Sequence, residues 1–288
     1  MKYKAIILKI LSILLWVGIS SGMMVLLVSA VQKEQQQKCK SLDVSFTDNK
    51  SFRMLDEAEI VFALWPSAAN DHPVGKNIGK INLYALEKQL KRNPWVLDAD
   101  IYLDQQNTLH VDVQQRSPVA RLFSPDGNSF YIDDSLAILP IKVSDAVELP
   151  VFTNFMIHPA GAKYADTLLM KRITGFSGVI LKEPFWMAQI EQVNINPDGS
   201  FEMITQMGDQ TVTLGTGENW EDMLGKLKKL YRHLGAEHGW TKYETIDLQF
   251  KDQVVCVKRG VPYALVDSLP AGDSISMKSI TDSINIKH

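Results

Sequence analysis

The side chains best equipped for chemistry in this sequence are six histidines and two cysteines. His72, His110, His158, His233, His238 and His288 are scattered, and even His233 and His238, five apart, do not align on a helix face. The spacing predicts no metal site. Asp133 and Asp134 are adjacent carboxylates, but neighbours on a strand point to opposite faces, so they read as a turn-entry aspartate beside a solvated one. Gly175-Phe176-Ser177-Gly178 imitates a nucleophile elbow with the wrong spacing inside a helical pattern, where it reads as packing or a bend. There is no H-E-x-x-H, no phosphate loop, no G-x-G-x-x-G and no S-x-x-K. The expectation is a chain with no catalytic residues, no metal and no cofactor, against the alternative of an enzyme with an unfamiliar site. Cys39 and Cys256 would be disulfide candidates in an oxidising compartment. Their settings favour two separate thiols, the second buried in a β-branched run.

The elements that would carry these groups begin with an apolar run. Ile10 to Val31 is 22 residues without a charge. As a helix it would be about 33 Å long, enough for a hydrocarbon core of about 30 Å. It exceeds the roughly 7–15 apolar residues of a signal peptide, although Val28-Ser29-Ala30 resembles a cleavage site. The expectation is one transmembrane helix over residues 10–31, with a cytoplasmic head at 1–9 and the body outside the cytoplasm, because long domains translocate largely regardless of charge. The whole chain has a net charge of −3; the first 31 residues carry only Lys2, Lys4 and Lys9, so the rest stands at −6. An acidic body lacks the basic face that phosphate contacts need, which argues against nucleic acid as a partner.

Beyond a polar juxtamembrane linker at 32–40, the period of the apolar residues changes several times. Leu42, Val44 and Phe46 alternate as a half-buried strand. Asp56 and Glu59 mark a helix start by capping box, and Pro66 stops that helix. A second helix opens at Asn82 with Leu83, Leu86 and Leu90 on one face and Glu87 and Lys91 paired on another. Two alternating runs, Ala99/Ile101/Leu103 and Leu109/Val111/Val113, form a hairpin through 104–107. This β-α-α-β-β order predicts a first domain at 41–117, with its core on Leu83, Leu86, Leu90, Ile101, Leu103, Val111 and Val113.

A second, mostly antiparallel β domain with helices is predicted at 118–262, so the fold class is α+β. Its signals are a strand at 130–134, a helix through Leu168, Leu169, Ile173, Phe176 and Ile180, and a meander from Ile190 to Leu214. A helix then places Trp220, Leu224, Leu227, Tyr231 and Leu234 inward, and a closing pair of strands follows at 246–250 and 254–257. Residues 263–288, rich in Ser, Asp and Lys, read as a flexible tail.

Asn93-Pro94-Trp95-Val96-Leu97-Asp98-Ala99-Asp100-Ile101, then Leu109–Val113 and Arg116-Ser117-Pro118-Val119-Ala120-Arg121, resemble the signature of the FtsQ/DivIB family of bacterial cell-division proteins. Phe130–Ile141, Leu149-Pro150-Val151 and the hairpin Tyr243–Lys258 are similar to further family elements. The chain departs from the family at Ser135-Leu136, where a glycine turn is expected, in its long 67–80 loop, and at Lys258, where members carry an aromatic. The resemblance implies a POTRA domain at 41–117, a β domain, and a non-catalytic scaffold in the inner membrane at the division septum. It also implies small bitopic partners of the FtsB and FtsL type, alongside other divisome membrane proteins.

The last strand carries the expected partner site: Phe250, Gln253, Val254, Val255, Cys256, Val257 and Lys258. The final strand of a meander has an open edge, and an open edge accepts an added strand through its main chain. Two alternatives from other classes are an envelope chaperone or transport module built on a POTRA domain, and a membrane-anchored envelope enzyme.

Overall fold

A computed structural model describes residues 14–26, 29, 37–47, 53–66, 72–142, 147–156, 164–217, 219–236, 239–260 and 274–276. The chain divides into two compact units between Arg116 and Ser117. Residues 14–26 are helical and exposed. Among the described residues no helix is long and apolar enough to cross a membrane. The predicted head and most of the predicted 32–40 linker lie outside the described residues, as do both ends of the predicted span at 10–31.

In the first unit the chain is anchored before its first strand: Cys39 N–H donates to Lys76 O and Lys40 N–H to Asn107 O, both at 2.9 Å. The unit then runs β1 (Ser41–Phe46), α1 (Glu57–Leu64), a 3-10 turn (Ile78–Lys80), α2 (Leu83–Leu90), β2 (Val96–Leu103) and β3 (Thr108–Gln115). The sheet order is β1-β3-β2, with β1 parallel and β2 antiparallel to β3. This is the predicted β-α-α-β-β arrangement. The Asp56 capping box forms in full, and Asn82 caps α2 by accepting from Ala85 N–H.

The core of this unit differs in detail from the predicted set. Leu90, Ile101, Val111 and Val113 are buried, whereas Leu83, Leu86 and Leu103 are half-buried. Met54, Leu55, Ile60, Leu64, Trp65 and Trp95 complete the core. The expected Glu87–Lys91 pair is replaced by two tertiary contacts. Lys91 pairs with Asp98 at 2.5 Å, and Glu87 accepts from Ile101 N–H at 3.2 Å on the outer side of β2. A backbone donor on an edge strand is a stronger claim on a carboxylate than an exposed ion pair.

Among the described residues the second unit is one ten-stranded sheet with three helices. In chain order it has β4 (Pro118–Phe123), β5 (Ser129–Asp133), β6 (Ile138–Pro140), β7 (Val151–Thr153), α3 (Tyr164–Lys182), α4 (Pro184–Gln189), β8 (Ile190–Ile195), β9 (Phe201–Thr205), β10 (Gln210–Gly215), α5 (Trp220–Ala236), β11 (Tyr243–Asp247), β12 (Gln253–Lys258) and β13 (Ser274–Ser276). The order across the sheet is β13-β12-β11-β10-β9-β8-β7-β4-β5-β6.

Most pairings are antiparallel, as expected, but the sheet is not a simple meander. β4–β7, β7–β8 and β10–β11 are parallel. The long helices α3 and α5 lie between the strands of two of these pairs, and a parallel pair requires such a crossover. Helix and sheet meet at an aromatic cluster: Phe176 of α3 is 4.9 Å from Trp220 of α5, which stacks on Phe201 of β9 at 5.6 Å. Phe152 of β7 meets Phe201 edge-on.

Leu90 is fully buried. Leu90→Ala is expected to destabilise the first unit by about 2–5 kcal/mol. A shifted denaturant midpoint reports it, and an unchanged midpoint would mean that α2 does not close this core.

Candidate functional site

The predicted partner strand is the second arm of the β11–β12 hairpin. Thr245 to Asp247 pair antiparallel with Val255 to Val257, and the turn between the arms passes through Asp252, whose φ is +57°. Asp247 Oδ1 accepts from Gln249 N–H at 2.9 Å, and Leu248 N–H donates to Thr213 O at 3.0 Å, so the turn is tied to β10. Gly215, at the end of β10, has φ +66°, and a Cβ there would come within 2.5 Å of the Gln249 side chain. A side chain at this position would be strained by that φ and would have to displace the Gln249 side chain.

Two cations hold the ends of β12. Lys226 of α5 is only 7% exposed, and its Nζ donates to the carbonyls of Leu248 at 3.1 Å and Phe250 at 2.9 Å, with Asp222 at 3.6 Å. At the far end, Arg259 donates to Gly208 O at 3.0 Å and Asp209 O at 2.8 Å. Between these clamps Val254 and Cys256 are buried in the core beneath α5. Gln253, Val255 and Val257 are half-buried on the other face, Lys258 is exposed, and Phe250 is 46% exposed beside the strand.

β12 is not the last strand of the sheet. Gln253, Val254 and Val255 pair antiparallel with Ser276, Ile275 and Ser274, so the chain's own tail covers half of the edge expected to be open. The predicted flexible tail includes these three residues, and the rest of 263–288 lies outside the described residues. The predicted site residues are thus brought together on one hairpin arm, with β13 seated against part of it.

The other chemical groups do not converge. Cys39 and Cys256 are buried thiols, and burial pushes the Cys39 thiol up. Asp133 is buried and accepts from Ser135 Oγ and Ala137 N–H, both at 2.7 Å, which builds the turn in place of the family glycine. Leu136 takes that glycine's conformation, with φ +69°. Ser177 Oγ donates to Ile173 O at 2.7 Å inside α3. His110 lies between Asp43 Oδ2 at 3.0 Å and Asp104 Oδ2 at 3.3 Å on the outer face of the first sheet, with Tyr102 stacked on it. Among the described residues no cluster has the makings of a metal site. An open groove of about 760 Å³ on the second unit is lined by Met156, Leu168, Ile195, Arg172 and Asp198 among others, with no serine, cysteine or histidine among the described residues.

Residues 37–114 match the POTRA-like domain, and residues 117–257 match the family described as FtsQ/DivIB, C-terminal related. The chain is a relative of the FtsQ/DivIB proteins. It is 23% identical over 190 residues to "Cell division protein FtsQ" of Geotalea daltonii, covering 64% of this chain and 66% of that protein. It is 24% identical to proteins of the same name from Geobacter sp. (strain M21) and Myxococcus fulvus, over 192 and 194 residues. The matches cover 64% and 65% of this chain and 66% of each relative. Each match thus spans just under two thirds of the relative's own length. In this FtsQ/DivIB relative the family match ends at Val257, one residue before β12 ends.

Sequence reasoning missed Lys226 and Arg259 as the clamps of this FtsQ/DivIB hairpin. Lys226 had a signal: it lies three residues after Met223 and four before Leu230, on the apolar stripe itself. Arg259 had none: its partners Gly208 and Asp209 are about fifty residues away in sequence.

Lys226→Met removes two charge-assisted hydrogen bonds to the main-chain carbonyls of Leu248 and Phe250. A loss of about 2–3 kcal/mol is expected, with faster amide exchange in the 248–252 turn. Unchanged stability and exchange would show that the ammonium does not hold the hairpin. A second expectation concerns pH. The Asp104 hydrogen bond, helped by Asp43, holds the His110 pKa above its ordinary 6.5. Its stabilising contribution is therefore full below about pH 6.5 and fades as pH rises through the folded value. An NMR titration should find the raised value in the wild type and a lower one in Asp104→Asn; equal values would refute the coupling.

Proposed function

We propose that this chain is a non-catalytic scaffold of bacterial cell division, and that β12 recruits partners by strand addition. The single observation that carries the reading is a β12 fixed at both ends, by Lys226 and Arg259, with the three-residue strand β13 paired along half of its outer side. Main-chain groups on such an edge supply affinity, and the alternating side chains Gln253, Val255 and Val257 supply selectivity. Phe250, half exposed beside the strand, adds an aromatic contact. The family relationship and the relatives' name supply the cellular process.

The partners are small bitopic division proteins of the FtsB and FtsL type, held among other divisome membrane proteins. The charge-free run from Ile10 to Val31 supports a single-pass anchor in the inner membrane, with the N-terminus in the cytoplasm and both units outside it, at the septum. The partner-binding residues are Phe250, Gln253, Val254, Val255, Cys256, Val257 and Lys258.

Proline deletes one backbone donor and costs little where that donor faces away from the parent sheet. Of Val255→Pro and Cys256→Pro, one is expected to abolish co-purification of an FtsB-type partner from membranes while the melting temperature holds. If both variants stay folded and both still recover the partner, strand addition at β12 is wrong.

A further inference from the structure

The strand seated on the proposed partner edge belongs to the chain itself. β13 is three residues long, Ser274–Ser276, and its register covers Gln253–Val255, half of the six-residue β12. It is the outermost strand of the sheet. The backbone groups it engages on β12 are the ones an added strand would need, so the two cannot occupy Gln253–Val255 together.

β12 does not depend on β13 for its position. Val254 and Cys256 are buried in the core cluster, the preceding turn is held by Lys226 and the following residue by Arg259. Removing β13 exposes an edge that is already formed. The connection also favours exchange: 13 residues, 261–273, separate Gly260 from Ser274, whereas five, 248–252, join β11 to β12. Closing a longer loop costs more entropy, and three paired residues return less than a partner pairing along all six.

We infer that Ser274–Ser276 is a built-in competitor, an intramolecular strand that occupies the partner edge and is displaced when a partner strand adds to β12. The inference rests on the edge-recruitment reading above. Its consequence is that apparent partner affinity is set by the fraction of chains whose tail strand is off.

The test uses the full chain and a purified FtsB-type partner segment as probe. Gln253 and Ser276 are register partners, so Gln253→Cys with Ser276→Cys can lock the tail in place, and Cys256, buried on the opposite face of β12, stays clear of the bridge. The oxidised, locked chain is expected to bind the segment at least about 10-fold more weakly than the same chain after reduction. Ile275→Pro and the pair Ser274→Pro/Ser276→Pro place proline at positions of opposite hydrogen-bonding class. At least one is expected to tighten binding by about 5-fold at an unchanged melting temperature.

Equal binding before and after reduction, in a protein whose binding is lost in Val255→Pro or Cys256→Pro, overturns the competitor while leaving the edge reading intact. Tail prolines that lower the melting temperature and weaken binding make β13 a structural strand, and also overturn it. If neither β12 proline affects binding, the edge reading fails and the competitor fails with it.

Discussion

A strand near the rim of an open sheet must find partners for the N–H and C=O groups along its outer side, and in this chain that obligation falls on β12, which β13 covers over half its length. A buried or half-buried strand left unsatisfied is costly, and an exposed one pairs with whatever is near. Much of the second unit can be read as a response to that requirement. The strand is placed by a parallel partnership between β10 and β11, which exists because α5 crosses between them. It is held at its ends by Lys226 and Arg259, and a short strand of the same chain is laid against half of it. The first unit meets the same requirement at β2 by a different route, with the Glu87 carboxylate accepting from Ile101 N–H on the outer side.

Both clamps are cations donating to main-chain carbonyls, and this choice has a physical reason. A carbonyl at a tight turn points outward and has no ladder partner, while a long cationic side chain can reach it from another element. Hydrogen bonds to charged groups are also stronger than neutral ones. The aromatic cluster beneath, with Phe152, Phe176, Phe201 and Trp220 in mutual contact, fixes α3 and α5 against the middle of the sheet. Lys226, two turns along α5 from Trp220, is therefore set by the same packing that builds the core.

The sequence was most readable where structure is local. The Asp56–Glu59 capping box, the Asn82 cap, the period-two strands of the first unit and the apolar stripe of α5 all form as their spacing predicts. The β11–β12 hairpin, which carries the candidate site, is legible in the same way, although β11 runs from Tyr243 to Asp247 and Leu248 and Phe250 fall in the turn instead of the expected strand at 246–250. What escaped was non-local. A meander and a sheet with helical crossovers carry the same alternating strands, so periodicity cannot distinguish β10–β11 parallel pairing from a hairpin. Lys91 reached Asp98 instead of Glu87 because tertiary geometry offered a closer acceptor. The tail strand escaped for a related reason: Ser-Ile-Ser has no strand signal of its own and pairs only because β12 presents a template.

The crossover by α5 also orders events in time. β11 can take its place beside β10 only after the helix between them has folded onto the sheet, and β12 only after β11. The β12 edge is therefore reached only through the β10–β11 and β11–β12 pairings. A sheet interrupted anywhere earlier lacks the neighbours that place β12. On the proposed reading, recruitment through β12 is thereby tied to a sheet complete up to that strand.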